Sequence, residues 1–224
     1  MENGSNNNYT RLPEEFIDAL QEVGNIGSGH AANALADMLN RKVEMSLPKF
    51  RLLTLDQLST VQWGNQRSLD PYAFVMLEST GDFKFIVLVI FDKVSLMHIL
   101  NLISGDISFL QDLNLDELSN FDKSTVTEVG SILGLHYLTA IGEFLGIQFS
   151  NGSLKINIES PRLLIETSEA VLTSIAGQSQ SDFVHMINIE CDIFTEGDVL
   201  HPSVVLIPEE STIQKSLKLM FGSD

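Results

Sequence analysis

Three polar residues near the start of the chain, Asp18, Glu22 and Asn25, have the types and the spacing to act together. They fall at i, i+4 and i+7, so on an α-helix turning about 100° per residue they lie within roughly 60° of one another. Phe16, Leu20, Val23 and Gly27 form an apolar stripe centred on the other side. Two carboxylates and an amide therefore project together, with no Lys or Arg among them. A carboxylate can dock a cation, and an amide can hold a water by donating and accepting at once without titrating. Such positioning matters most in phosphoryl transfer, whose transition state needs in-line geometry more than covalent help. The same residues also read as a solvated helix face, or as an N-cap for a break near the glycines that follow. Chemistry alone leaves these readings open.

Other chemistries fit the sequence less well. GNIGSG (Gly24 to Gly29) lacks the dinucleotide spacing, has no preceding strand and is not followed by the Lys-Ser/Thr of a P-loop. Its glycines read instead as a helix break or a close approach to another backbone. The histidines His30, His98, His136, His185 and His201 have no ligand-like spacing, so no metal site is expected. There is no G-x-S-x-G nucleophile elbow. Cys191, the single cysteine, lies in the apolar run Met186 to Phe194 and reads as a buried small hydrophobe in a strand rather than a reactive thiol.

Composition narrows the partners. A net charge of −17 disfavours nucleic acid and anionic membrane surfaces, both of which demand clustered cations. A partner with a basic rim, or one that brings its own metal ion, suits this chain better. One cysteine permits no internal disulfide, which agrees with a cytoplasmic setting. The N-terminus has no signal-peptide pattern, and the apolar run Lys84 to Phe91 is too short to span a bilayer, so no membrane insertion is expected.

The elements that must position the polar trio follow from periodicity. Residues 1–11 are Asn-rich and aperiodic and read as a disordered tail. A helix is expected from Leu12-Pro13 to about Leu39, then strands near 43–54, 71–79 and 83–92, with Gly81-Asp82 as a hairpin turn. A helix follows over 92–102. Setting Glu128 on Glu22 then aligns Val129-Gly130 with Val23-Gly24, His136 with His30 and Ala140 with Ala34. After this second helix come a strand near 147–158, a helix near 164–176, strands near 183–194 and 199–207 about Gly197-Asp198, and a helix over 209–221. The pattern predicts an α/β protein with helices on both faces of a mainly antiparallel sheet. It would be one domain over 12–224, made of two pseudo-symmetric helix-strand-strand-strand-helix repeats (12–105 and 115–222), with an extra helix in the second.

The pattern Asp18-x3-Glu22-x2-Asn25-x22-Pro48 resembles the signature of the CheC/CheX/FliY family of chemotaxis phosphatases, with every specified position present. EVGNIGSGHAANAL is also similar to the family's text, and the ending VVLIPEESTIQKSLKLMFG looks CheC-like in particular. The resemblance covers about residues 12–222. It implies an enzyme that hydrolyses the aspartyl-phosphate of a CheY-like response regulator and so terminates a two-component chemotaxis signal. By analogy Glu22 pairs with the regulator's lysine, Asn25 orients the attacking water, and Asp18 and Pro48 support the motif. No cofactor is expected on this chain; Mg²⁺ would sit in the regulator's own acidic pocket.

The second repeat departs from the signature. Ser124 and Glu128 match, but Ser131 stands where a second Asn belongs, Leu154 occupies the proline register, and Leu135 replaces Gly29. A hydroxyl lacks the reach of an amide, so one functional site is expected, with the second degenerate though still able to dock a regulator. The receptor deamidase CheD is a further partner that the resemblance implies. The alternative function is a non-catalytic module that senses phosphorylated regulator or regulates CheD.

Overall fold

The structure is a computed structural model that describes residues 14–54, 57, 61, 63, 70–104, 114–144, 156–178, 186–195 and 197–222. The expected N-terminal tail and most of the expected strand at 147–158 lie outside these residues. Helix α1 runs Glu14–Leu39, followed by β1 (Glu44–Met45), β2 (Lys49–Leu53), β3 (Tyr72–Gly81), β4 (Phe85–Phe91) and α2 (Lys93–Ser104). A 3-10 turn at Leu115–Glu117 leads into α3 (Asn120–Phe144), then β5 (Ile156–Ile158), β6 (Arg162–Glu166) and α4 (Ser168–Gln178). The chain continues through β7 (Met186–Glu190), β8 (Ile193–Phe194), β9 (Val199–Leu200), β10 (Ser203–Pro208) and α5 (Glu210–Phe221).

Every strand pairing is antiparallel among the described residues. The large sheet has the order β2-β7-β10-β4-β3-β5, with β6 also on β3; a small sheet has the order β1-β8-β9. Strands of the first and second halves of the chain interdigitate: β2 pairs with β7 (Phe50 opposite Ile189), and β4 pairs with β10 (Val89 opposite Val204).

The long strands β3 and β4 show no polar alternation because both sheet faces are covered. Successive side chains enter different cores. Ala73, Val75, Leu77, Val87, Val89 and Phe91 join one cluster with residues of α1, α2, α3 and α5. Tyr72, Phe74, Met76, Leu88 and Ile90 join the other, with Val171, Leu172 and Ile175 of α4 and Trp63. Helix starts are secured locally. Ser119 and Asp122 exchange backbone and side-chain hydrogen bonds (3.0 and 3.1 Å) ahead of α3, and the Asp92 carboxylate accepts from the Ser95 N–H at 2.8 Å ahead of α2.

The α/β class and the antiparallel sheet agree with the sequence pattern, but several boundaries differ from it. The expected strand at 43–54 is two strands in different sheets, separated by Pro48, which has no N–H to continue a ladder. The expected helix at 164–176 begins as strand β6, whose Leu164 and Ile165 pair with Phe74 and Ala73; helix starts only at Ser168, where Thr167 Oγ1 accepts from Ala170 N–H at 3.3 Å. The strand expected over 183–194 divides into β7 and β8, leaving Cys191 in the link between them, and that over 199–207 divides into β9 and β10. Gly81 (φ 107°) and Gly197 (φ 98°) make the two turns that the sequence marked, in a conformation that favours glycine. Among the described residues no helix is long and apolar enough to cross a membrane.

Candidate functional site

Helix α1 is unbroken across Gly24, Gly27 and Gly29. Of the two expectations for these glycines, a break or a close approach, the helix shows the second, at Gly24 and Gly27. A Cβ at Gly24 would stand 2.2 Å from Phe50 Cζ and 3.2 Å from Pro48 Cγ, so the first strand of the large sheet and the motif proline lie against the helix there. A Cβ at Gly27 would stand 3.3 Å from the His136 carbonyl oxygen and 3.2 Å from the Tyr137 ring, so α3 crosses α1 at this residue. Around it the two equivalent histidines, His30 and His136, meet edge to face with centroids 6.2 Å apart.

The crossing is also pinned by polar contacts in the core. Ser28 Oγ donates to the Gly24 carbonyl (2.9 Å) and lies 2.8 Å from the Tyr137 hydroxyl, which donates to Cys191 Sγ at 3.4 Å. Burial pushes the Tyr137 hydroxyl well above its ordinary pKa and the Cys191 thiol up to about 11. Cys191 is therefore a neutral, buried group that holds Tyr137, not a nucleophile. Burial, and then the neighbouring His30, lower the pKa of His136, so this crossing favours the neutral imidazole.

With Leu20, Val23, Ala31 and Leu35 in the core, the remaining face of α1 is open. Asp18, Glu22 and Asn25 are all exposed on it, and their side chains make no hydrogen bond or ion pair to another described residue. Glu15 and Asp37 are exposed on the same helix, which contains no Lys or Arg. Pro48 is half-buried and fixes the edge of the face by resting on Gly24. The structure thus brings the four motif residues to one surface. Among the described residues no group of three His, Cys, Asp or Glu side chains gathers in a way that could hold a metal ion; His98 and His201 pair instead with Asp198 (2.8 Å) and Asp192 (2.7 Å).

The equivalent face of α3 is different. Ser124 and Glu128 are exposed, but Ser131 is only 7% exposed, and its hydroxyl donates to the Thr127 carbonyl one turn back at 2.6 Å. Leu135 is half-buried against the core. Helix α3 touches α1, α2, β3, β4 and β6, whereas α1 lies toward the β2 edge of the sheet, so more of the circumference of α3 is covered. A Cβ at Gly130, the counterpart of Gly24, would stand 2.5 Å from Val75 Cβ.

Two residues beside the site escape a reading based on polar chemistry: Ile26, 45% exposed next to Asn25, and Leu47, 77% exposed next to Pro48. Their signal is apolar residues at positions the helix phase and the turn leave in water.

The model of the CheC-like family matches residues 17–51, the segment that carries Asp18, Glu22, Asn25 and Pro48. Over 210 residues the chain is 27% identical to a Bacillus subtilis (strain 168) protein named CheY-P phosphatase CheC, covering 92% of this chain and 94% of that one. Its fold is similar to that of FliY of Thermotoga maritima, with a TM-score of 0.69 and 21% identity over 95% of this chain and 99% of the other. The FliM middle domain from H. pylori shares the fold more distantly, with a TM-score of 0.59 and 12% identity over 92% and 99% of the respective chains. The CheC-like resemblance carried by the motif thus recurs both in a family model confined to that motif and in a relative aligned over nearly the full length.

Proposed function

We propose that this CheC-like chain is a phosphatase that hydrolyses the aspartyl-phosphate of a CheY-like response regulator, through one functional site on α1. The observation that carries the reading is the exposed pair Glu22 and Asn25, without partners among the described residues, in the segment that matches the family model. Buried polar groups pair internally; an acid and an amide held in water on a rigid helix are available to another molecule. Glu22 docks the cation that neighbours the phosphate in the partner. Asn25 accepts from and donates to a water and aims it along the line of the breaking P–O bond. Asp18 adds negative potential one turn before Glu22, and Pro48 holds the face by resting on Gly24. On the family resemblance, the divalent ion of phosphoryl chemistry belongs to the partner's acidic pocket. The setting implied is the cytoplasm.

The second face keeps Ser124 and Glu128 in water but withdraws Ser131, which supports one active site and a second, non-hydrolytic face. The likeness of the B. subtilis relative, named for CheY-P phosphatase activity, supports the substrate class. Binding of CheD is a further element of the reading that rests on the resemblance alone.

The test is the decay of a phosphorylated CheY-like regulator with Mg²⁺ present, with and without this protein. Wild type accelerates loss of phosphate; Asn25→Ala lowers kcat at least tenfold, and Glu22→Ala lowers kcat/KM comparably, the range expected for a positioned group. If wild-type protein binds the phosphorylated regulator but leaves its decay unchanged, the sensing module is the correct reading and the phosphatase is not.

A further inference from the structure

The proposed reaction uses Glu22 and Asn25 but gives Gly29 no role. Gly29 lies inside α1, where glycine weakens a helix relative to alanine. Among the described residues nothing requires it: a Cβ there would meet no atom of theirs within 4 Å, and the residue is exposed. That separates it from Gly24 and Gly27, which Phe50 and α3 occupy closely. At about 100° per residue Gly29 falls between Asn25 and Glu22 in phase, one turn further on. It therefore removes a side chain from the middle of the polar face. Two exposed apolar residues lie near that face: Ile26, roughly 40° beyond Glu22, is 45% exposed, and Leu47, next in sequence to the Pro48 that rests on Gly24 about 100° round the helix from Asn25, is 77% exposed. Helix α1 meanwhile presents Glu15, Asp18, Glu22 and Asp37 with no compensating Lys or Arg.

We infer, on the basis of the proposed phosphatase reading, that Gly29, Ile26 and Leu47 form the docking surface for the folded, phosphate-bearing partner. The partner's surface closes on α1 at Gly29, its apolar side chains settle on Ile26 and Leu47, and its basic rim faces Asp18 and Glu22. The charge of α1 selects a partner whose facing rim is cationic, and the open step at Gly29 lets that partner come close enough for Asn25 to reach the phosphate. A small phosphorylated metabolite would need neither the step nor the nearby apolar groups. In α3 both the amide and the step are gone, with Leu135 in place of Gly29.

The test uses full-length protein and a CheY-like receiver domain, loaded with Mg²⁺ and beryllofluoride for binding and phosphorylated for turnover. Gly29→Ala raises the thermal midpoint yet weakens binding about tenfold, and Gly29→Leu weakens it about a hundredfold. Gly177→Ala, at an exposed α4 glycine with no described residue within 4 Å of its Cβ position, leaves binding and turnover unchanged and controls for helix stabilisation. Ile26→Ser and Leu47→Ser each raise KM about tenfold with kcat within about twofold of wild type. Folded Gly29→Leu protein that binds and turns over like wild type overturns the docking surface, as does an unchanged KM in both Ile26→Ser and Leu47→Ser. Wild type that neither binds the loaded receiver nor speeds its dephosphorylation overturns the phosphatase reading itself, and the docking surface with it.

Discussion

If the second face lacks only an amide, Ser131→Asn should complete it; the structure predicts that it does not. Ser131 is 7% exposed and its hydroxyl is already satisfied by the Thr127 carbonyl at 2.6 Å, whereas Asn25 stands in water. Asparagine brings two more heavy atoms into this position, and overpacking of that kind costs about 1–3 kcal/mol. Its amide has two N–H donors and one carbonyl acceptor. Thr127 can accept from one donor, and each polar group left unmet in the interior costs about 1–3 kcal/mol. With one amide group left unmet, the substitution therefore destabilises by roughly 2–6 kcal/mol against a total stability of about 5–15 kcal/mol, which leaves a weakened but folded protein over most of that range. The assay is single-turnover loss of phosphate from the regulator in the Asn25→Ala background, with urea unfolding alongside. Asn25→Ala with Ser131→Asn should stay at the rate of Asn25→Ala alone and show a lower unfolding midpoint. A tenfold recovery of rate, or unchanged stability, would refute the argument that burial, not residue type alone, silences this face.

Other outcomes follow from the same contacts. Gly130→Ala places its Cβ 2.5 Å from Val75 Cβ in the core, so despite the helix propensity gained it should destabilise by about 1–3 kcal/mol in denaturant titration; Gly177→Ala in the same assay should not. Cys191, raised from 9.0 to about 11, retains its proton in the native state after the unfolded thiol has lost its own. The contribution, about 3 kcal/mol, is present below pH 9 and disappears as pH rises towards 11, and a thiol reagent at neutral pH should label Cys191 only on unfolding. His136 has the opposite linkage: its lowered pKa means stability is present above pH 6.5 and falls as the solution is acidified through the folded value. His136→Gln should flatten that limb of a stability-versus-pH curve.

Much of the site was legible because helix phase is a local property. Asp18, Glu22 and Asn25 sit on the open face of α1, and Leu20 and Val23 in the core, as the 3.6-residue period requires. The counterpart position on α3, Ser131, is buried instead. A helix wheel gives direction relative to its own axis but not how many neighbours surround it, and α3 is covered more widely than α1. The same limit hid β6: Leu163, Leu164 and Ile165 run without alternation and adjoin a true helix, so periodicity could not divide strand from helix at Thr167. Gly24 and Gly27 announced close approach without naming Phe50 and α3, since partners distant in sequence leave no mark in a local window.

The interdigitated sheet has a consequence for how the protein is made. Strand β10, among the last elements in the chain, lies between β7 and β4 inside the sheet. Until residue 208 has left the ribosome, β4 (FIVLVIF) presents an unpaired, strongly apolar edge. At about 5–20 residues per second, the wait from the end of β4 to the end of β10 lasts many seconds, far longer than local helices and hairpins take to form. Nascent chains stalled before β10 should be protease-sensitive and chaperone-bound. A chain nicked between α2 and α3 after folding should instead stay together, each piece held in the other's sheet.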